Sequence, residues 1–417
     1  MIVVGIVVLA LVIPFGVSFG SALTNPGLGV TIPGRAAEWF RDHGFSTLVN
    51  WIENEWYSHH PPPKGGRPPK GAIKVPTHPV HVTSVGPPHL PPPEPIKPLV
   101  SPALPGEGQW SPAGALVDGI PAVYETTLRP DPVHTSYVVG VAWMDTKLLR
   151  ATLYSGSTIP GGGPYTHTAP IPPSAASTLV AAFNAGFLMS AANGGYYTDG
   201  KTIIPLRNGA ASFVVYANGS ATVGAWGQDV SMSPDVVSVR QNLDLLVDNG
   251  QPVPGLNAND TTQWGATLGN QVYVWRSGLG VTADGALVYV GGPGLNITDL
   301  ANILVAAGCV RAMELDINTD WVNFATYTQG PPTSANQELI NDGPVTLAGT
   351  NLLSGPDGSV APTGMVGQPD RYFQSYWSRD FITMSAAYSS PVTGSKGSGS
   401  AAQGSKKPSG TRPLRRS

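Results

Sequence analysis

Apolar residues fall into three patterns along this chain. The first 20 residues, MIVVGIVVLALVIPFGVSFG, are almost wholly apolar, and no charge occurs before Arg35. A helix of that length reaches across a bilayer, and it has no polar face for packing on a soluble core. Residues 1–23 therefore read as a transmembrane anchor or a signal segment, with the small residues Gly20 and Ala22 near a candidate cut. Both readings export the remainder, as a membrane-anchored extracytoplasmic domain or as a secreted one. In residues 33–58, Phe45, Leu48, Val49, Ile52 and Trp56 recur at helical spacing and predict an amphipathic helix. Its Trp39, Trp51, Trp56 and Tyr57 suit a headgroup boundary or packing on a domain.

The third pattern, short strands with turn signals, occupies residues 108–388. Ala211 to Tyr216 and Ser220 to Val223 flank Asn218-Gly219, a hairpin signal. Leu243 to Val247 runs into Asp248-Asn249-Gly250. Gln271 to Trp275 and Gly278 to Val281 precede Asp284-Gly285, and Ala286 to Val290 follows. One helix is clear: Thr298 caps it, Leu300, Ile303, Leu304 and Ala307 form its buried stripe, and Gly308 ends it. A shorter helix opens at Pro173-Ser174. Many strands with few helices predict an α+β fold with a mixed, strand-rich sheet.

Composition separates this domain from its flanks. Residues 59–107 are proline-rich (PPPKGGRPPK, HLPPPEPIKPL), which favours polyproline II and predicts a spacer. Residues 389–417 are rich in Gly, Ser, Lys and Arg and predict a disordered basic tail. Only 12% of residues are charged and the net charge is −3, so nothing favours a nucleic-acid partner. Cys309 is the only cysteine, which excludes an intrachain disulfide and predicts a small buried residue between helix and strand. Walker loops, GxSxG and HExxH are absent, the histidines lack metal-site spacing, and no cofactor or metal is named by the sequence.

Candidate chemistry gathers in CVRAMELDINTDW, residues 309–321. Read as a strand, it puts Met313, Leu315 and Ile317 on one face and Glu314, Asp316 and Asn318 on the other. A core strand lining a cleft has this pattern, and so does an edge strand with a solvated face. Arg276-Ser277 ends a strand before Gly278-Leu279-Gly280. A guanidinium offers paired donors to phosphate oxygens, and Ser277 adds another, whereas a structural arginine binds loop carbonyls. Asn184 in FNAGF can donate and accept at once, and Gly186 beside it permits close approach. Arg240, in RQN, is a second anion contact or the start of a strand.

FNAGF (183–187), RQNLDLLVDNG (240–250), VWRSGLGV (274–281) and ELDIN (314–318) together resemble, in order and approximate spacing, the phosphodiester glycosidase family over residues 108–388. The resemblance implies hydrolysis of a sugar 1-phosphodiester to free sugar and a phosphomonoester. It implies Arg276 and Ser277 on the phosphate, Asp316 as nucleophile or general base, Glu314 in support, and Asn184 orienting sugar or water. Gly186, Arg240 and Asn318 would complete the substrate contacts. In the family, leucine-aspartate is followed by several glycines and a serine. Here Ile317, Asn318 and Thr319 replace the glycines, and isoleucine resists the positive φ that a phosphate cradle uses. Three functions fit: an exported hydrolase of envelope or extracellular phosphoglycans, a glycan-binding relative without turnover, and a structural envelope protein. Expected partners are a phosphoglycan or cell-envelope polymer and, through residues 1–23, a membrane.

Overall fold

The computed structural model describes residues 2–29, 31–45, 47–49, 51–52, 62–76, 86–259, 263–265, 272–353 and 368–388. The basic tail, Trp56 and Tyr57 lie outside the described residues. Nineteen strands form three sheets among the described residues. The first sheet has eight strands, in the order β1 (Ser111–Val117), β2 (Ile120–Leu128), β3 (Val139–Met144), β14 (Leu287–Leu295), β13 (Val274–Thr282), β15 (Cys309–Ile317), β11 (Leu245–Asp248) and β12 (Gln251–Pro252). The second runs β7 (Lys201–Ile204), β6 (Tyr196–Thr198), β10 (Val236–Gln241), β8 (Ala211–Tyr216) and β9 (Ala221–Ala225). The third runs β17 (Glu338–Asp342), β18 (Val345–Asn351), β16 (Phe324–Gln329), β5 (Leu179–Asn184), β19 (Phe381–Ala386) and β4 (Leu149–Tyr154). Helices are α1 (Ile2–Thr24), α2 (Ile32–Asp42), α3 (Pro173–Ala176) and α4 (Ile297–Ala306).

The strand-rich expectation with few helices matches this architecture, but the mixed sheet does not. Every pairing between these strands is antiparallel. Parallel neighbours need long crossovers, usually helical, whereas this chain mostly uses tight turns such as Asn218-Gly219, with Gly219 at φ +79. Among the described residues, α4 forms one long crossover. It joins β14 to β15, which both pair antiparallel with β13 and so run in the same direction on either side of it.

Core patterning follows the predicted stripes. Leu300, Ile303 and Leu304 of α4 are wholly buried and pack on Val139, Val141, Val288 and Val290. Each such side chain contributes about 1.5–3 kcal/mol relative to exposure. The cap differs from expectation: Asn296, not Thr298, accepts from the Asp299 amide at 2.8 Å. On the other face of the first sheet, a single cluster joins Val123, Leu279 and Met313 to Phe213 of the second sheet and to Leu153 and Phe183 of the third. All three sheets therefore share one core, and β15 runs through it. Cys309 begins β15 fully buried, and burial pushes its thiol up, as suits an inert small residue.

The flanking segments are less separate than composition predicts. Where it is described, the proline-rich stretch lies along the domain: Leu90, Ile96 and Val100 are buried, and the Leu90 amide donates to Asp145 Oδ2 at 2.7 Å. Arg129 binds Glu107 at 2.8 Å and the Val100 and Pro102 carbonyls. Scattered apolar residues and free carbonyls among the prolines thus dock an extended chain that was expected to stand clear. The single amphipathic helix expected over 33–58 is interrupted, because α2 ends at Asp42 and the chain turns at Gly44, φ +84. Trp39 packs against Phe15, Phe19 and Phe40, joining α2 to α1. No helix among the described residues is long and apolar enough to cross a membrane; for residues 2–12 of α1, only the backbone is described.

Candidate functional site

The alternation read in ELDIN is real as far as Asp316. Met313 and Leu315 enter the shared core, and Glu314 and Asp316 point the other way. β15 is the central strand of the two sequence readings, flanked by β13 and β11, and the solvated-edge reading falls. A bulge between Arg276 and Gly278 shifts the β13 register, so that Arg276 pairs with Ile317 and Gly278 with Glu314. This brings the Arg276 side chain onto the Glu314 carboxylate.

Arg276 and Glu314 are both fully buried and meet at 2.5 Å. Arg276 also donates to the Leu295 and Trp264 carbonyls, each at 3.2 Å. Arg276 Nη2, Glu314 Oε2 and Trp264 Nε1 have no partner. Burial pushes the Glu314 carboxyl up to about 7, while Arg276 opposes and Asp316 reinforces that shift. The expected direct phosphate contact by Arg276 is therefore not what the geometry gives, because the bulge turns it inward onto a carboxylate.

Asp316 differs. It is 6% exposed, and one carboxylate oxygen accepts from the Ile317 amide at 2.9 Å. Burial pushes its carboxyl up to about 7, with the Arg379 guanidinium the main opposing influence. Arg379 stacks on Trp321 at 4.2 Å, leaves its Nη1 without a partner, and faces Glu38 of α2 at 3.8 Å. Next to it, Asp380 is held by Arg240 Nε at 2.6 Å and keeps Oδ1 unpaired. Three arginines (240, 276, 379) thus sit among three carboxylates (314, 316, 380), a balanced ionic cluster at the meeting of the sheets.

The remaining predicted residues hold this cluster in shape rather than facing solvent. Asn184 is saturated: Nδ2 donates to Ala185 O and Ser277 Oγ, and Oδ1 accepts from Tyr289 and the Asn323 amide. Ser277 in turn donates to the Asp316 carbonyl at 2.6 Å. Asn184 and Ser277 thus tie β5 and β13 to the backbone of the candidate base, and neither is free for sugar or phosphate. A Cβ at Gly186 would lie 2.8 Å from Asn242 Oδ1, so the close approach it permits is to a side chain. Asn242 bridges the Phe187 amide and the Glu314 carbonyl. Arg240 likewise turns inward, donating to Gln241 O and Phe187 O. Asn318 sits just beyond β15 at φ +87 and caps its own turn by accepting from the Asp320 amide at 3.1 Å. One position after Asp316 keeps the extended backbone that isoleucine prefers, and the next takes the positive φ that asparagine tolerates.

Arg379, Asp380 and Trp264 were not singled out from sequence. The available signal was Arg379-Asp380, a charged pair opening the apolar run FITMSA in a chain with few charges. The N-terminal segment also reaches the rim: the Thr31 amide donates to Asp320 Oδ1 at 3.3 Å, and Ser378 donates to Gly27 O. Among the described residues, no group of three His, Cys, Asp or Glu side chains is arranged to hold a metal.

Comparison with known proteins agrees with the sequence resemblance. The phosphodiester glycosidase family model matches residues 177–316, the span from before β5 to Asp316. A search of curated proteins finds no match. Among solved structures, the chain is similar to the catalytic domain of zebrafish N-acetylglucosamine-1-phosphodiester alpha-N-acetylglucosaminidase, auto-inhibited by its pro-peptide. That match has 12% identity and a TM-score of 0.39, covering 68% of this chain and 88% of that one. A hypothetical protein from Synechocystis matches at 12% identity and a TM-score of 0.32, covering 66% of this chain and 64% of that one. A protein of Burkholderia pseudomallei K96243 matches at 13% identity and a TM-score of 0.26, covering 53% of this chain and 75% of that one.

Proposed function

We propose that this chain hydrolyses sugar 1-phosphodiesters of envelope or extracellular phosphoglycans, exported and held at a membrane by residues 1–23. The observation that carries this reading is Asp316: a buried carboxyl raised to about 7, last but one in β15, beside a guanidinium with a spare donor. A carboxylate poised near neutral pH is suited to accept a proton from water. The phosphate is already a competent leaving group, so the site chiefly needs a cation on its oxygens. Arg379, which is slightly exposed and meets its carboxylate partner only at 3.8 Å, fits that role better than Arg276, which is fully buried and held on Glu314 at 2.5 Å. Asp316 takes the proton of the attacking water, Arg379 Nη1 meets the phosphate oxygens, and free sugar and a phosphomonoester leave. Glu314 and Arg276 act as a pair that fixes the strand beneath. Glu38 stands at the guanidinium that the phosphate would engage, so substrate competes with it.

The test is release of free sugar from a set of α- and β-linked hexose 1-(methyl phosphate) diesters by the full-length chain. Release that depends on Asp316 supports the reading. A folded protein that binds these diesters and releases nothing favours the binding-module reading, for which the replacement of the family's glycines by Ile317, Asn318 and Thr319 speaks.

A further inference from the structure

A separate cavity of about 240 Å³ opens between the edge of the first sheet and the third sheet. Its floor is Glu125 on β2, 8% exposed, whose Oε1 has no hydrogen-bond partner. Lys74, from the proline-rich stretch, stands at its mouth: Nζ lies 3.9 Å from Glu125 Oε2 and donates to Leu352 O at 3.3 Å. Threonines line the walls. Thr326 and Thr328 share one face of β16, Thr350 is paired with Thr326 across β18, and Thr127 shares the Glu125 face of β2. Burial pushes the Glu125 carboxyl up, with Lys74 and the Thr326 hydroxyl opposing.

We infer that this cavity is a second ligand site, taking a neutral, hydroxyl-rich molecule of monosaccharide size. A buried acceptor without a partner is costly unless something donates to it. Hydroxyls of a polyol donate to Glu125 and both donate to and accept from the threonines. Lys74 disfavours a cation and Glu125 disfavours an anion, so an uncharged ligand is selected. The volume lies below the roughly 300–1,000 Å³ of drug-sized pockets, which suits one sugar ring. The site is distinct from the ionic cluster: Ala181, opposite Thr326, is three residues before Asn184 on β5, roughly 10 Å along the strand. It does not rest on the hydrolytic reading. The ring is either a free hexose or the terminal unit of a longer glycan that the protein grips away from its reacting end.

Saturation-transfer NMR and titration of the full-length chain with methyl α-D-glucopyranoside, maltotriose, glucosamine and glucuronate test this. The expected result is saturable binding of the neutral sugars, with the two charged sugars at least threefold weaker. Maltotriose binding more tightly than the monosaccharide identifies a glycan end, and equal affinity identifies a free hexose. Thr326→Val and the rim variant Lys74→Met should each weaken binding at least threefold, while Asp316→Asn should leave it unchanged. The inference is overturned if no neutral sugar binds, if a charged sugar binds best, or if binding follows Asp316 and ignores both Thr326 and Lys74.

Discussion

Glu314 and Asp316 lie two residues apart on one face of β15, and each has an arginine, yet the two regions are built for different work. Around Glu314 the β13 bulge delivers Arg276 into direct contact, the Trp264 carbonyl accepts a further Arg276 bond, and both side chains are fully buried. Around Asp316 the strand is ending, the carboxylate accepts from the backbone amide of Ile317, and Arg379 comes from the loop before β19. A close buried ion pair rigidifies, and breaking it strands a charge. A carboxyl and a guanidinium that are neighbours without being locked together keep donor and acceptor capacity for a substrate. Sequence spacing treats the two carboxylates alike, and packing separates them.

The largest expected effect lies on the open side. Asp316→Asn should lower the rate of sugar release by on the order of 10²–10⁴ with the fold intact. The wild-type rate should rise through about pH 7 as the carboxyl ionises. Stability should move oppositely. A carboxyl raised from 3.8 to about 7 keeps its proton in the folded state while the unfolded chain loses it. Its contribution is therefore fully present below about pH 4 and lost as pH rises to about 7, on the order of 4 kcal/mol. Denaturant melts at pH 4 and pH 8 should show a smaller drop for Asp316→Asn than for wild type. An equal drop would falsify the buried, raised carboxyl.

On the closed side, Arg276→Ala leaves Glu314 buried without its cation and should cost about 3–5 kcal/mol of stability. If Arg276 binds substrate instead, melts will barely move and KM will rise. Arg379→Ala should reverse that pattern, weakening diester binding by about 1.5–3 kcal/mol with a smaller effect on melting. Arg379→Lys should restore only part, since an ammonium lacks the planar fork. The smallest effect belongs to Glu38. Its 3.8 Å contact with Arg379 is a loose pair, worth up to about 1 kcal/mol. Glu38→Gln should lower KM by two- to fivefold and leave kcat alone; an unchanged KM would mean that α2 does not compete with the phosphate.

Much of this protein is legible in its amino-acid order because the signals are local. Alternation placed Glu314 and Asp316 opposite Met313 and Leu315, Asn218-Gly219 marked a hairpin, and Leu300, Ile303 and Leu304 marked the buried stripe of α4. Period and turn chemistry act within a few residues, so they survive without a structure. The family resemblance, too, could be read from short motifs. Tertiary structure alone decided which polar groups face each other. A one-residue bulge turned Arg276 toward Glu314, and a residue 63 positions after Asp316 became its electrostatic partner. Asn184, Ser277 and Asn242 have side chains suited to substrate, but backbone carbonyls and amides brought close by three converging sheets claim them first. The proline-rich stretch, a spacer by composition, carries Lys74 into a cavity because a few apolar residues and open carbonyls find partners on the folded surface. Hydrogen-bond capacity is a property of residue type and can be counted in advance, but whether it is already spent depends on what long-range packing brings within 3 Å.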